Sequence, residues 1–192
     1  MNAPLYFAPM QADIIASACY AEKAFSTAEV DRIEALGREL ELEPAKVVSG
    51  AVSPEQRNSR VAWLPNDERW GWLYQVMHSY VQQFNLHYDF DVWGFQESMQ
   101  FLEYREGGHF AWHVDAGTPG AAPRKLSFTL QLSDPESYEG GELEIWSADR
   151  ALMPRARGTL ICFPSFALHR VRPVTRGLRR AIVAWATGEP FR

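Results

Sequence analysis

Cysteine is nearly absent from this chain: Cys19 and Cys162 are the only two among 192 residues, and most of the chain separates them. Small stapled folds need more than that, so no disulfide framework is indicated, and Cys162 in the apolar run GTLICFP reads as a buried free thiol. Such usage suits a reducing cytoplasm. Long apolar runs are missing as well, and no stretch approaches the roughly eighteen residues that a membrane-spanning helix requires. The opening MNAPLYFAPMQADIIASACY lacks a basic region followed by a long apolar one, so an untargeted protein is expected. Positive charge is in deficit: 19 Lys and Arg against 24 Asp and Glu leave a net charge of −5. No general field draws phosphate backbones or anionic lipid, and neither a nucleic-acid nor a membrane partner is expected.

What is present belongs to a folded chain. Hydrophobic residues make up 46% and aromatics 13%, which disordered sequences do not reach. The length fits one domain with a full core, taken as residues 1–192. FSTAEVDRIEALGREL opens with an S-x-x-E capping box, Ser26 and Glu29, ahead of Val30, Ile33, Leu36 and Leu40 at helical spacing. This predicts an amphipathic helix with Gly37 as a mild weakness. Residues 43–60 carry two prolines and several small polar residues, so they read as a long loop entering the short strand RVAWL. A second helix is expected over NDERWGWLYQVMHSYVQQFN, capped by Asn66 or Asp67, with Trp70, Leu73, Met77, Tyr80, Val81 and Phe84 toward a core.

Beyond that helix the period changes. SMQFLEY, KLSFTLQLS, GELEIW, GTLICFP and RRAIVAWAT are short β-rich runs separated by glycine and proline. Helices followed by many strands predict an α+β protein with a sandwich or rolled-barrel core. The boundary falls at about residue 87: a helical N-terminal part over 1–86, then a β core over 87–188.

The chemistry concentrates in GGHFAWHVDAGTP. Two residues apart on a strand, His113 and Asp115 would share a face, as two ligands of one ion must. Alone, H-x-D describes a hairpin pair equally well. Of the other histidines, His78 falls inside the second helix and His87 just past its exit. His109 would lie about 13 Å from His113 along an extended strand. His169, where an apolar strand breaks at Pro164 and resumes near Val171, completes a two-histidine, one-carboxylate set of the kind used by non-haem Fe(II) oxygenases. Ten residues on, Arg179 shares a strand face with Ala181, Val183 and Trp185, where a guanidinium is costly unless a carboxylate joins it. The rest of RVRPVTRGLRR reads as a solvated turn.

Three blocks in order, FLEYREGGHFAWHVD, RKLSFTLQLSDPESYEGGELEIW and FPSFALHRVRPVTRGLRRAIVAW, resemble the 2-oxoglutarate- and Fe(II)-dependent dioxygenases of the prolyl 4-hydroxylase type, especially the bacterial PKHD-type hydroxylases. The resemblance runs from about Gln100 to Trp185. It implies a double-stranded β-helix, or jelly roll, with helices on its outer face. It also implies His113, Asp115 and His169 as iron ligands, and Arg179 as the partner of the distal carboxylate of 2-oxoglutarate. Many prolyl hydroxylases carry lysine at that last position. Tyr104 begins the family pattern Y-x-x-G-x-x-[YF]-x-x-H-x-D and is placed beside the cosubstrate, while Trp185 packs either near it or simply in the core. Gly140 and Gly141 mark a tight turn, and Glu142 is not a ligand.

The implied cofactors are Fe(II), 2-oxoglutarate and O2, with ascorbate as a reductant. The implied reaction is hydroxylation of an unactivated C–H bond, in first place on a prolyl residue of a peptide or protein. A free amino acid or natural-product intermediate is the nearest alternative, and a non-catalytic metal- or sugar-binding jelly roll is the alternative of another class. Residues 43–60, Trp112 and Trp146 are candidates for holding the substrate. Oligomeric state is not legible.

Overall fold

The computed structural model describes residues 5–7, 18–47, 51–116, 123–146 and 151–189. In chain order its elements are β1 (Leu5–Phe7), β2 (Cys19–Ala21), α1 (Thr27–Arg38), β3 (Glu43–Pro44), β4 (Arg57–Asn58), β5 (Arg60–Trp63), α2 (Gly71–Tyr88), β6 (Gly94–Phe95), β7 (Gln100–Tyr104) and β8 (His109–His113). They continue with β9 (Arg124–Gln131), β10 (Tyr138–Gly140), β11 (Leu143–Ile145), β12 (Ala151–Leu152), β13 (Leu160–Pro164), β14 (His169–Val171), β15 (Val174–Gly177) and β16 (Arg179–Thr187).

The capping box forms as expected: the Glu29 amide donates to Ser26 Oγ at 3.3 Å and the Ser26 amide to Glu29 Oε2 at 2.7 Å. Gly37 is a requirement and not a weakness, because a Cβ there would lie 2.3 Å from the Phe101 ring. The missing side chain lets α1 lie directly on β7. Helix α2 begins later than expected. The Asp67 carboxylate accepts the Arg69 and Trp70 amides and closes the turn before the helix, while Trp70 is the N-cap and makes no side-chain cap. His87 falls in the helix's last turn instead of beyond it.

The larger sheet runs β1-β2-β13-β9-β16-β7-β5-β3, with β6 joined to β16; the smaller runs β12-β11-β14-β8-β4. All pairings are antiparallel. Residues 43–60 are therefore not simply loop, since they supply β3 to one sheet and β4 to the other. Strands from the first 86 residues join both sheets, so the helices there are interleaved with parts of the β core.

Strand alternation divides two cores. Phe101, Leu126, Phe128, Leu130, Cys162, Ile182, Ala184 and Ala186 pack with Val30, Ile33, Leu73, Met77, Val81 and Phe84, which seats both helices on the outer face of the larger sheet. Truncating a side chain such as Phe128 to alanine there costs about 3–5 kcal/mol. The intervening residues face the space between the sheets, where Leu102, Tyr104, Ile145, Ile161, Phe163 and Val171 form a second cluster. On β9 that inward set is Lys125, Ser127, Thr129 and Gln131, all buried. A jelly roll with a polar stripe through its interior results. Among the described residues no helix is long and apolar enough to cross a membrane.

Candidate functional site

The site begins at the pairing of β14 with β8, which sets His169 directly opposite His113. The register slips along this pair: Val171 faces Phe110, so three steps on β8 match two on β14. A bulge of that kind re-aims side chains at a barrel rim. Here it brings Phe110 and His113 onto one face, with ring centroids 3.4 Å apart, and leaves the His113 and His169 rings 4.1 Å apart.

Asp115 is not on a strand, contrary to the alternation argument. Strand β8 ends at His113, and the Asp115 and Ala116 amides both donate to the Ser165 carbonyl, at 2.8 and 3.0 Å. The turn nevertheless delivers the carboxylate: Asp115 Oδ1 lies 3.6 Å from His113 Nε2 and Oδ2 lies 3.5 Å from His169 Nε2. Ligand atoms of the three residues all fall within 4.8 Å of one another. Each imidazole is oriented from behind. His113 Nδ1 donates to the Ala111 carbonyl and His169 Nδ1 to the Ala167 carbonyl, both at 2.8 Å, which fixes the proton on Nδ1 and turns the Nε2 lone pair toward Asp115.

Electrostatics favour the ligand forms. Burial pushes the His169 imidazole down to about 4; the Asp115 charge opposes this and His113 adds to it. Burial would raise the Asp115 carboxyl, but His169, His113 and the Ser127 hydroxyl together hold it well below the usual carboxylate range. Two imidazoles offering Nε2 and one carboxylate are the donor set that suits a divalent iron ion and leaves positions open.

Deeper in the same interior lies Arg179, 1% exposed. Its Nη2 donates to Gln131 Oε1 at 3.0 Å; among the described residues its Nε has no partner and no carboxylate forms a salt bridge with it. Tyr104 faces Arg179 across the β7–β16 ladder, and the guanidinium carbon sits 5.3 Å from its ring. The hydroxyl of Thr159, which precedes β13 and whose carbonyl accepts the Gln131 amide, is likewise buried without a partner among the described residues. A buried cation with an unmet donor is expensive in isolation. An anion would satisfy it. Gly141 makes room: with φ of +67°, it holds a position where a Cβ would lie 3.0 Å from Arg179 Cδ. The tight turn at Gly140 and Gly141 thus also sets the packing beside Arg179.

Other expected residues fall as follows. His109 bonds the Gly107 and Glu55 carbonyls and stands outside the cluster, while Glu142 pairs with Arg155 at 3.7 Å. Trp185 is buried with Nε1 unpartnered among the described residues, and Arg124, which is paired with Glu97, stacks 3.8 Å from its ring. Trp112 alternates with His113 and so lies on the opposite face, edge-on to Trp146 at 5.4 Å and 4.7 Å from the Arg170 guanidinium. Arg170 and Arg172 are bound to the buried Glu144, and Arg180 to Glu103, so the arginine run is more tightly engaged than a solvated turn.

Sequence reasoning missed Ser127, Gln131, Ser165 and Arg57. The first two could have been found in KLSFTLQ, whose apolar Leu126, Phe128 and Leu130 alternate with polar residues in a strand too apolar for a solvent face. Arg57 is buried, bonds Ser59 Oγ and Gln100 Oε1, and covers the Phe110 ring at 4.7 Å. Nothing local in the sequence signals it.

Comparison with known proteins agrees with this geometry. A PKHD-type hydroxylase of Pseudomonas putida is 45% identical over 89 residues, 43% of this chain and 39% of its own length. One from Teredinibacter turnerae is 46% identical over 93 residues, 45% of this chain and 41% of its own. The chain thus spans about two-fifths of the length of these curated relatives. Among solved structures, a Pseudomonas putida prolyl-4-hydroxylase superposes with a TM-score of 0.75 at 20% identity, covering 90% of this chain and 92% of that one. A Trichoplax adhaerens prolyl hydroxylase, in complex with a hypoxia inducible factor peptide fragment, gives 0.77 at 17%, covering 90% and 84%. These two share the fold. The 2OG-Fe(II) oxygenase superfamily model matches residues 99–187, nearly the span of the sequence resemblance.

Proposed function

We propose that the protein is a 2-oxoglutarate- and Fe(II)-dependent dioxygenase that hydroxylates an unactivated C–H bond, with a prolyl residue in a peptide or protein as its substrate. One observation carries the reading: a three-ligand cluster and a buried arginine without a carboxylate partner among the described residues share one interior. His113, Asp115 and His169 would hold the metal, and Arg179 would take the distal carboxylate of the cosubstrate beside Tyr104. The bound iron and 2-oxoglutarate supply the oxidation itself, consuming O2 and releasing succinate and CO2.

The chain's own part is positional. The backbone carbonyls of Ala111 and Ala167 keep both imidazoles in the tautomer that offers Nε2. Three protein ligands leave the other half of the coordination sphere free. Phe110 and Phe163 pack on the histidines, stacked on His113 and edge-on to His169 at 4.6 Å. Arg57, a second buried guanidinium without a carboxylate partner among the described residues, lies beyond Phe110 and offers a hydrogen-bond site for a substrate carbonyl or carboxylate.

Peptide substrates are favoured by the Trichoplax adhaerens neighbour, whose bound molecule is a peptide fragment. Anaerobic addition of Fe(II) and 2-oxoglutarate should produce a visible charge-transfer band, and its absence would favour a non-catalytic jelly roll. Substrate class is then tested by substrate-stimulated succinate formation, with ascorbate as reductant, over proline-containing peptides and free amino acids. A mass gain of one oxygen on a peptide prolyl residue is expected, and stimulation by free amino acids alone would overturn that choice.

A further inference from the structure

Asp115 is held from two sides by serines. Ser127, 1% exposed on β9, donates its hydroxyl to Asp115 Oδ2 at 2.7 Å, and its oxygen lies 3.0 Å from Ser165 Oγ. Ionised Asp115 can only accept, so the single Ser127 proton goes to the carboxylate. Ser165 must then donate to Ser127, which gives a directed chain from Ser165 through Ser127 to Oδ2. The Ser165 carbonyl simultaneously accepts the Asp115 and Ala116 amides. Backbone and carboxylate are thereby fixed together.

The two carboxylate oxygens are made unequal by this arrangement. Oδ2 has a lone pair committed to Ser127, whereas Oδ1 receives no hydroxyl among the described residues and faces His113 Nε2 at 3.6 Å. A carboxylate can grip a cation with one oxygen or with both. With both, it would occupy a fourth position and compete with a chelating cosubstrate or with oxygen. We propose that Ser127, backed by Ser165, is a positioning residue that restricts Asp115 to one-oxygen coordination through Oδ1 and so preserves the open half of the site. This rests on the Fe(II)/2-oxoglutarate reading above. It differs from a plain second-sphere tether, because loss of a tether weakens the metal whereas loss of this restraint frees an additional ligand for it.

The test uses Mn(II), which accepts the same donors and reports its bound water through proton relaxation. In the parent protein Mn(II) should bind and 2-oxoglutarate should displace water from it. Ser127→Ala should bind Mn(II) at least as tightly, carry one fewer exchangeable water, and bind 2-oxoglutarate to the Mn(II)-loaded protein at least about tenfold more weakly. Ser127→Thr, which keeps the hydroxyl, should restore the parental water count and affinity. Ser165→Ala, which keeps the carbonyl, should move both in the direction of Ser127→Ala by less. An unchanged water count in a folded Ser127→Ala, or weaker Mn(II) with cosubstrate affinity intact, overturns the proposal. Parent protein that binds no Mn(II) would instead overturn the functional reading beneath it.

Discussion

Replacing Arg179 with leucine separates the cost of burying this guanidinium from its use. The side chain is 1% exposed, makes one hydrogen bond to Gln131 and finds no partner for Nε among the described residues. A hydrogen bond from a charged donor contributes about 1.5–3 kcal/mol. Desolvating the charge costs several kcal/mol, and an apolar side chain of similar volume often leaves a buried-charge site unchanged or more stable by about 1–4 kcal/mol. The ligand-free Arg179→Leu protein should therefore melt at or above the parental temperature. Cosubstrate binding should move the other way. Truncating one partner of a desolvated charge pair costs roughly 2–5 kcal/mol, which is about 30-fold or more in Kd. The assay is thermal melting of Mn(II)-loaded protein with 2-oxoglutarate. A concentration about 100 times the parental Kd stabilises the parent by about 2.7 kcal/mol, and at the same concentration the variant should gain less than half of that. A variant that binds 2-oxoglutarate within about threefold of parental affinity would refute the argument that an unmet buried cation marks the cosubstrate site.

Four further outcomes follow from the same geometry. His113→Ala should abolish 2-oxoglutarate oxidation to succinate, and turnover at the parental rate would remove the metal assignment. Gly141→Ala should lower cosubstrate affinity, measured by calorimetry, since its Cβ would meet Arg179 Cδ at 3.0 Å from a backbone with φ of +67°. Metal-free protein should lose stability to urea as pH falls from about 6.5 to about 4, because the buried His169 refuses a proton that the unfolded chain accepts from its ordinary value of 6.5 downward. His169→Gln should flatten that slope, whereas Asp115, with its depressed carboxyl, keeps contributing until the pH falls below the ordinary carboxylate value of 3.8. Cys19 and Cys162, buried and opposite one another on β2 and β13, should both be unreactive to a thiol reagent in native protein and both titrate in denaturant.

The sequence was most legible where a single strand or helix decides the outcome. Ser26 and Glu29 announce the start of α1, and the apolar period over Leu73 to Phe84 announces α2. The parity of Arg179, Val183 and Trp185 gives the inward face of β16, because the adjacent Ile182, Ala184 and Ala186 are taken by the helices. Less legible was anything set by pairing between distant strands. The short strands β3 and β4 exist only because β5 and β8 offer them edges, and their own residues carry no β signal. The bulge that stacks Phe110 on His113 depends on register with β14, fifty-six residues further on, and strict alternation could not anticipate it.

Asp115 shows why a correct choice of ligand can rest on an incomplete argument. Same-face alternation pointed to His113 and Asp115, yet the strand has ended before Asp115 is reached. What brings its carboxylate to the histidines is a turn whose amides are captured by Ser165, together with a hydroxyl from Ser127. The ladder fixes His113 and His169, but the carboxylate depends on hydrogen bonds that a single substitution can remove. The structure therefore separates two kinds of failure. Damage to β8 or β14 should disperse the site altogether, whereas damage to the serines should leave three ligands near one another in the wrong mode. Metal content alone would not distinguish the second case from an intact centre; the water count on the bound ion would.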